Sequence, residues 1–140
     1  MIDFYECMGQ GLLKRIPPSS VQAREQLAKA NVLLDEAKRA LGSESPNSAV
    51  IAAYAAMLDS ARAVLFQDGY REKSHACVAR YLEAKHSGKI GMPLIDLLDQ
   101  YRDKRHKTMY SGDYYPTMDE ARRAVSFAEE FVGKIEGIIK

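Results

Sequence analysis

Apolar residues in this chain recur at intervals of three and four, and that spacing belongs to helices. The clearest run is Ala121, Ala124, Val125, Ala128, Val132, Ile135 and Ile139, which makes one continuous stripe down a helix face. A second run is Leu27, Ala30, Leu34, Ala37 and Leu41. No segment shows the two-residue alternation of a half-buried strand.

Turn and cap residues divide the pattern. Residues 3–16 read as a short helix weakened by Gly9 and Gly11 and ended by Pro17-Pro18. Ser19 with Gln22, and Thr117 with Glu120, have the spacing of capping boxes. Gly42 fits a helix stop and Pro46 a first helical residue. The third helix is predicted over about 47–67, closed by Asp68-Gly69, the fourth over about 74–86 and the fifth over about 94–110. The third carries a face of small residues, Ala49, Ala52, Ala53, Ala56, Ser60 and Ala63, against which another backbone can approach closely. Short loops between these helices predict an all-α fold, an antiparallel up-and-down bundle of four to five helices. The 140 residues suit one domain, with residues 1–18 as an N-terminal extension holding at most a short helix.

Charge narrows the function classes. Twenty Lys and Arg against nineteen Asp and Glu give +1, which excludes a strongly basic nucleic-acid coat and an acidic tail. Residues 71–107 nevertheless carry nine basic and five acidic residues, so +4, and all three histidines. Cys7 and Cys77 match no metal or redox spacing, and their plain reading is two reduced, partly buried thiols. No apolar run approaches the ~20 residues of a membrane span, and the first residues lack the pattern of a signal peptide. Together these place the protein in the cytoplasm, with no membrane contact.

The densest basic run, Arg102-Asp103-Lys104-Arg105-His106-Lys107, holds one member out of place for a solvated face. Arg105 follows Tyr101 by four and Leu98 by seven, so it extends the apolar stripe of Leu94, Leu98 and Tyr101, whereas Lys104 and Lys107 point away. A guanidinium there is costly unless it is paired or faces a polar cleft. The alternatives are a structural ion pair and a phosphate site built on the bidentate Arg fork. His86 reads as a helix-end residue suited to the dipole, and three scattered histidines do not make a metal site. Tyr101, Tyr110, Tyr114 and Tyr115 surround the basic run and suit either base stacking or core packing.

Three stretches, in order and at matching spacing, resemble the HEPN domain, a helical bundle whose name stands for higher eukaryotes and prokaryotes nucleotide-binding. They are Ala53-Tyr54-Ala55-Ala56 with Ala61-Arg62-Ala63-Val64-Leu65, then Lys73-Ser74-His75-Ala76-Cys77-Val78, then Arg105-His106-Lys107-Thr108-Met109-Tyr110 followed by Thr117-Met118-Asp119-Glu120-Ala121. The resemblance runs from about Ser45 to the C-terminus and is closest to the small stand-alone prokaryotic branch. Ribonuclease-type members carry Arg, a polar residue, three variable residues and His. Arg105 and His106 match the first two positions, and Tyr110 stands at the His position, as in the many members of this branch that have Arg followed by Ala-Asp-Tyr. Tyr, with a reference pKa near 10, is a poor general base at neutral pH. His106 lies roughly 100° around the helix from Arg105 and is no simple substitute.

The resemblance implies a toxin-like component of a two-gene module with a minimal nucleotidyltransferase, its cleft formed in a homodimer. It implies Arg105, Tyr110 and His106 as candidate catalytic residues, and Arg102, Arg105, Lys107 and His75 as candidates for binding a nucleotide or RNA. No metal or cofactor is expected. The alternatives are a non-catalytic helical dimer serving protein interaction and a metal-independent endoribonuclease. Small-residue and apolar helix faces beyond what one core hides also argue for a homodimer.

Overall fold

Helices in this protein begin where side chains can satisfy their first backbone amides. The computed structural model describes residues 2–140. Helix α1 (Phe4–Gly9) starts at Asp3, whose carboxylate accepts from the Glu6 amide at 2.8 Å while the Glu6 side chain accepts from the Asp3 amide. Helix α2 (Ser20–Gly42) starts at Ser19, whose hydroxyl accepts from the Gln22 amide at 3.1 Å. The return half of the expected capping box is replaced, because the Ser19 amide donates to the Phe66 carbonyl at 3.0 Å. Helix α3 (Pro46–Asp68) opens on Pro46 and closes on Gly69, which is left-handed at φ +89°. Helices α4 (His75–Ile90) and α5 (Met92–Tyr110) follow, and α6 (Met118–Glu136) opens with the full Thr117–Glu120 capping box. Among the described residues, five long helices and one short one make up the bundle, in line with the helical period of the sequence.

The expectation of a purely helical chain needs one correction. Strands β1 (Leu13–Arg15) and β2 (Tyr70–Glu72) pair antiparallel, with Leu13 opposite Glu72, Lys14 opposite Arg71 and Arg15 opposite Tyr70. Three residues per strand are too few for a period of two to stand out. The predicted helix over 3–16 is therefore a six-residue helix followed by a strand. At the far end of the ladder the Ile16 amide donates to the Gly69 carbonyl at 3.0 Å.

Helix α3 forms the centre, packed against α2, α6 and α5. Its small-residue face is used inside the chain: Ala49, Ala53, Ala56, Ser60 and Ala63 are all buried. Ala52, the sixth member, is half-buried against the core, so this face leaves little for a second copy to pack on. The α6 stripe from Ala121 to Ile135 is buried as expected, with Phe131 added to it. By length and composition α3 could cross a bilayer, contrary to the sequence expectation, since its 18-residue window has a mean hydropathy of 1.5. Two thirds of that window lies inside the fold, as befits a core helix.

The cysteines are also corrected. Cys7 in α1 and Cys77 in α4 are both fully buried and joined by a disulfide. Seventy residues of separation hid the pairing, which the fold brings about by laying α1 on α4. The cytoplasmic placement loses the support it drew from free thiols.

Candidate anion-binding cleft

Helix α5 buries Leu94, Ile95, Leu98 and Tyr101, and one turn further on that stripe reaches Arg105 at the bundle surface. Arg105 is half-buried and, among the described residues, makes no ion pair or side-chain hydrogen bond. It faces a cleft of about 350 Å³ lined by His75, Arg102, Asp103, Arg105 and His106. A guanidinium on an otherwise apolar stripe thus opens onto a polar cavity, and no structural carboxylate claims it.

Arg102 reaches the same cleft through a buried relay. Arg80 of α4, only 4% exposed, donates to Glu83 at 2.7 Å and pairs with Asp99 of α5. The other Asp99 oxygen lies 3.5 Å from the Arg102 guanidinium. A buried cation that holds one carboxylate fixes where that carboxylate can point, so Arg80 and Asp99 act on Arg102 by position.

His75 opens α4 and comes to the cleft from the opposite side. Its Nδ1 lies 3.3 Å from the Tyr54 hydroxyl of α3. Burial pushes the Tyr54 phenol up to about 12, against the pull of the Arg102 and Arg105 cations. The phenol therefore keeps its proton and donates, and neutral His75 accepts at Nδ1 and carries its own proton on Nε2. The His75 side chain is partly open to solvent, yet its value is lowered. Partial burial of the ring is the main cause; Glu72 pulls the other way, and Arg62, Arg105 and Arg102 add repulsion. An anion entering the cleft would meet two guanidinium forks and an imidazole N–H, a donor set suited to phosphate.

The remaining sequence candidates lie at the margin. Lys107 points outward and pairs with Asp103 at 3.1 Å. Tyr110 is 65% exposed, and its ring centre lies 4.9 Å from that of His106, one turn earlier on α5. His75, Arg102, Arg105 and His106 are brought together; Lys107 and Tyr110 do not line the cavity. His86 is more than a helix end. It sits at a kink in α4, and its Nε2 is 2.6 Å from Asp68, which also accepts from the buried Tyr81 hydroxyl at 2.7 Å. Tyr101 packs in the core against Phe127, and Tyr114 donates to Glu120 at 2.9 Å, so neither is free to stack on a base. Tyr54, Arg80 and Asp99 are the neighbours of the cleft that sequence reasoning missed. A buried Arg three residues before Glu83 on an apolar helix was the available signal. Among the described residues no three His, Cys, Asp or Glu side chains gather to hold a metal ion.

The family model described as HEPN domain matches residues 23–138. No curated protein matches the chain.

Proposed function

The chain belongs to the HEPN domain family, and from that premise we propose that it binds the phosphate of a nucleotide or RNA in the α5 cleft, as the toxin-like component of a module with a nucleotidyltransferase. The observation that carries this reading is Arg105: half-buried, unpaired among the described residues, and facing a cavity that it shares with Arg102, His75 and His106. The two guanidinium groups would grip phosphate oxygens, His75 would donate from Nε2, and Tyr110 at the rim would donate from its hydroxyl. Asp103 also lines the cavity, and its charge is partly offset by its exposed ion pair with Lys107.

The homodimer belongs to the same proposal. Met109 and Tyr110 end α5 exposed, and Tyr115 in the following loop is exposed too. They give a second copy an apolar surface beside the cleft, in place of the small-residue face that the core consumes. Sedimentation at micromolar concentration should give a dimer mass, and a monomer mass would remove this part.

Isothermal titration of ATP into the wild type and Arg105→Ala tests the cleft. Hydrogen bonds to charged groups are worth about 1.5–3 kcal/mol, so the variant should bind roughly 10- to 100-fold more weakly, with its melting temperature unchanged. A sharp fall in melting temperature with unchanged binding would instead make Arg105 structural. Two imidazoles in one cleft favour a second reading, metal-independent RNA cleavage, in which His106 takes the proton of a ribose 2′-hydroxyl while His75 donates to the phosphate. Cleavage in EDTA that is lost in His75→Gln or His106→Gln would establish it.

A further inference from the structure

A second basic site lies outside the α5 cleft, on the small sheet. Lys14 and Arg71 are cross-strand partners, and both are exposed. Like charges placed directly opposite each other destabilise a strand pair. Lys73 follows β2, and its amide donates at 2.8 Å to the carbonyl of Leu12, the residue before β1. The Lys14 side chain approaches it closely enough to hold the Lys73 ammonium below its ordinary value. Among the described residues none of these three cations makes an ion pair. Glu72, between Arg71 and Lys73, is buried and taken by Arg62 at 3.1 Å. Lys14, Arg15, Ile16, Arg71, Glu72 and Lys73 line a cleft of about 380 Å³.

Lysines on an edge strand commonly guard against strand addition, a task that is served by spreading charge along the edge. Here the three charges instead share one concave surface, where they repel one another and, among the described residues, none of the three is ion-paired. Such an arrangement suits a polyanion. A short stretch of chain links this cleft to the first one. Lys73 lines the sheet cleft and His75 the α5 cleft, and two residues of chain span at most about 7 Å.

We propose that Lys14, Arg71 and Lys73 form a phosphodiester-binding subsite that carries the backbone of a single-stranded RNA leading out of the α5 cleft. The proposal rests on the reading of that cleft as a nucleotide or RNA site. It adds an extended ligand, held by the segment around β1, which precedes the family-matched residues 23–138.

The test compares Lys14→Ala/Arg71→Ala/Lys73→Ala with Arg105→Ala, using ATP and a fluorescein-labelled single-stranded oligoribonucleotide as probes. The sheet variant should bind ATP as the wild type does and bind the RNA more weakly. Each lost phosphate contact removes about 0.7 from the slope of log affinity against log salt. Three contacts remove about 2, so that between 50 and 200 mM salt the wild type should lose about 20-fold more affinity than the variant. Relief of repulsion means that the variant should melt no lower than the wild type. RNA affinity and salt slope unchanged in the sheet variant would overturn the proposal, as would a wild type that does not bind the RNA. If only the sheet variant loses RNA while Arg105→Ala binds both probes normally, the sheet site stands and the cleft reading falls. If only Arg105→Ala loses binding, the sheet site falls and the cleft reading stands.

Discussion

Replacing both cysteines by alanine should lower the stability of this protein by an amount that follows from where they stand in the chain. Cys7 and Cys77 enclose a loop of 70 residues. In the chain-entropy description, closing such a loop removes about 15 cal/mol/K from the unfolded ensemble, or about 4 kcal/mol at 25 °C. At roughly 2.1 cal/mol/K per residue, the 140 residues unfold with an entropy of about 0.29 kcal/mol/K, so the loss corresponds to about 15 °C in melting temperature. Both sulfurs are fully buried, so Ala substitution also leaves two small voids, which add to the loss. The assay is thermal unfolding by circular dichroism of wild type and Cys7→Ala/Cys77→Ala, with and without reductant, alongside a thiol titration of the unfolded wild type. The expected results are no free thiol without reductant and a large drop in the variant. Two free thiols, or melts that agree within a degree or two, would refute the reasoning and return the cysteines to separate buried thiols.

Two further outcomes follow from single contacts. Gly69→Ala should destabilise by about 1–3 kcal/mol in urea unfolding, because φ +89° disfavours a side chain and the added Cβ would lie 2.8 Å from the Ile16 carbonyl oxygen; an unchanged midpoint would contradict this. His75 should titrate below 6.5 by NMR. The unfolded chain then binds more protons between the two values, so the His75 contribution to stability is complete above pH 6.5 and is withdrawn as pH falls below it, a trend that His75→Gln should flatten; titration at or above 6.5 would contradict the described surroundings of the ring.

What the sequence made legible was whatever repeats locally. Helical period and caps are written within a few residues, so the stripe of α6, the Thr117 cap and the stop at Gly69 could be read directly. Arg105 was legible for the same reason, because Leu98, Tyr101 and Arg105 share one helix face. Pairings across the chain were not. The Cys7–Cys77 bond joins residues 70 apart, and the Lys14–Arg71 strand pair joins two three-residue segments without a visible period. Tyr54 against His75 and Arg80 against Asp99 depend on how α3, α4 and α5 cross, which no spacing within one helix encodes. The small face of α3 shows the opposite error: its composition was read correctly, but its partner lies within the bundle rather than on a second copy.

Whether the α5 cleft takes a phosphate can be read from NMR of the labelled protein during addition of ATP. The ring signals of His75 and His106 and the guanidinium signals of Arg102 and Arg105 should move together and saturate at one ATP concentration. The His75 titration should also shift to higher pH, as an anion offsets the repulsion from Arg62, Arg102 and Arg105. Signals of these four side chains that stay in place while ATP binds elsewhere, or that never saturate, would contradict phosphate binding in the cleft.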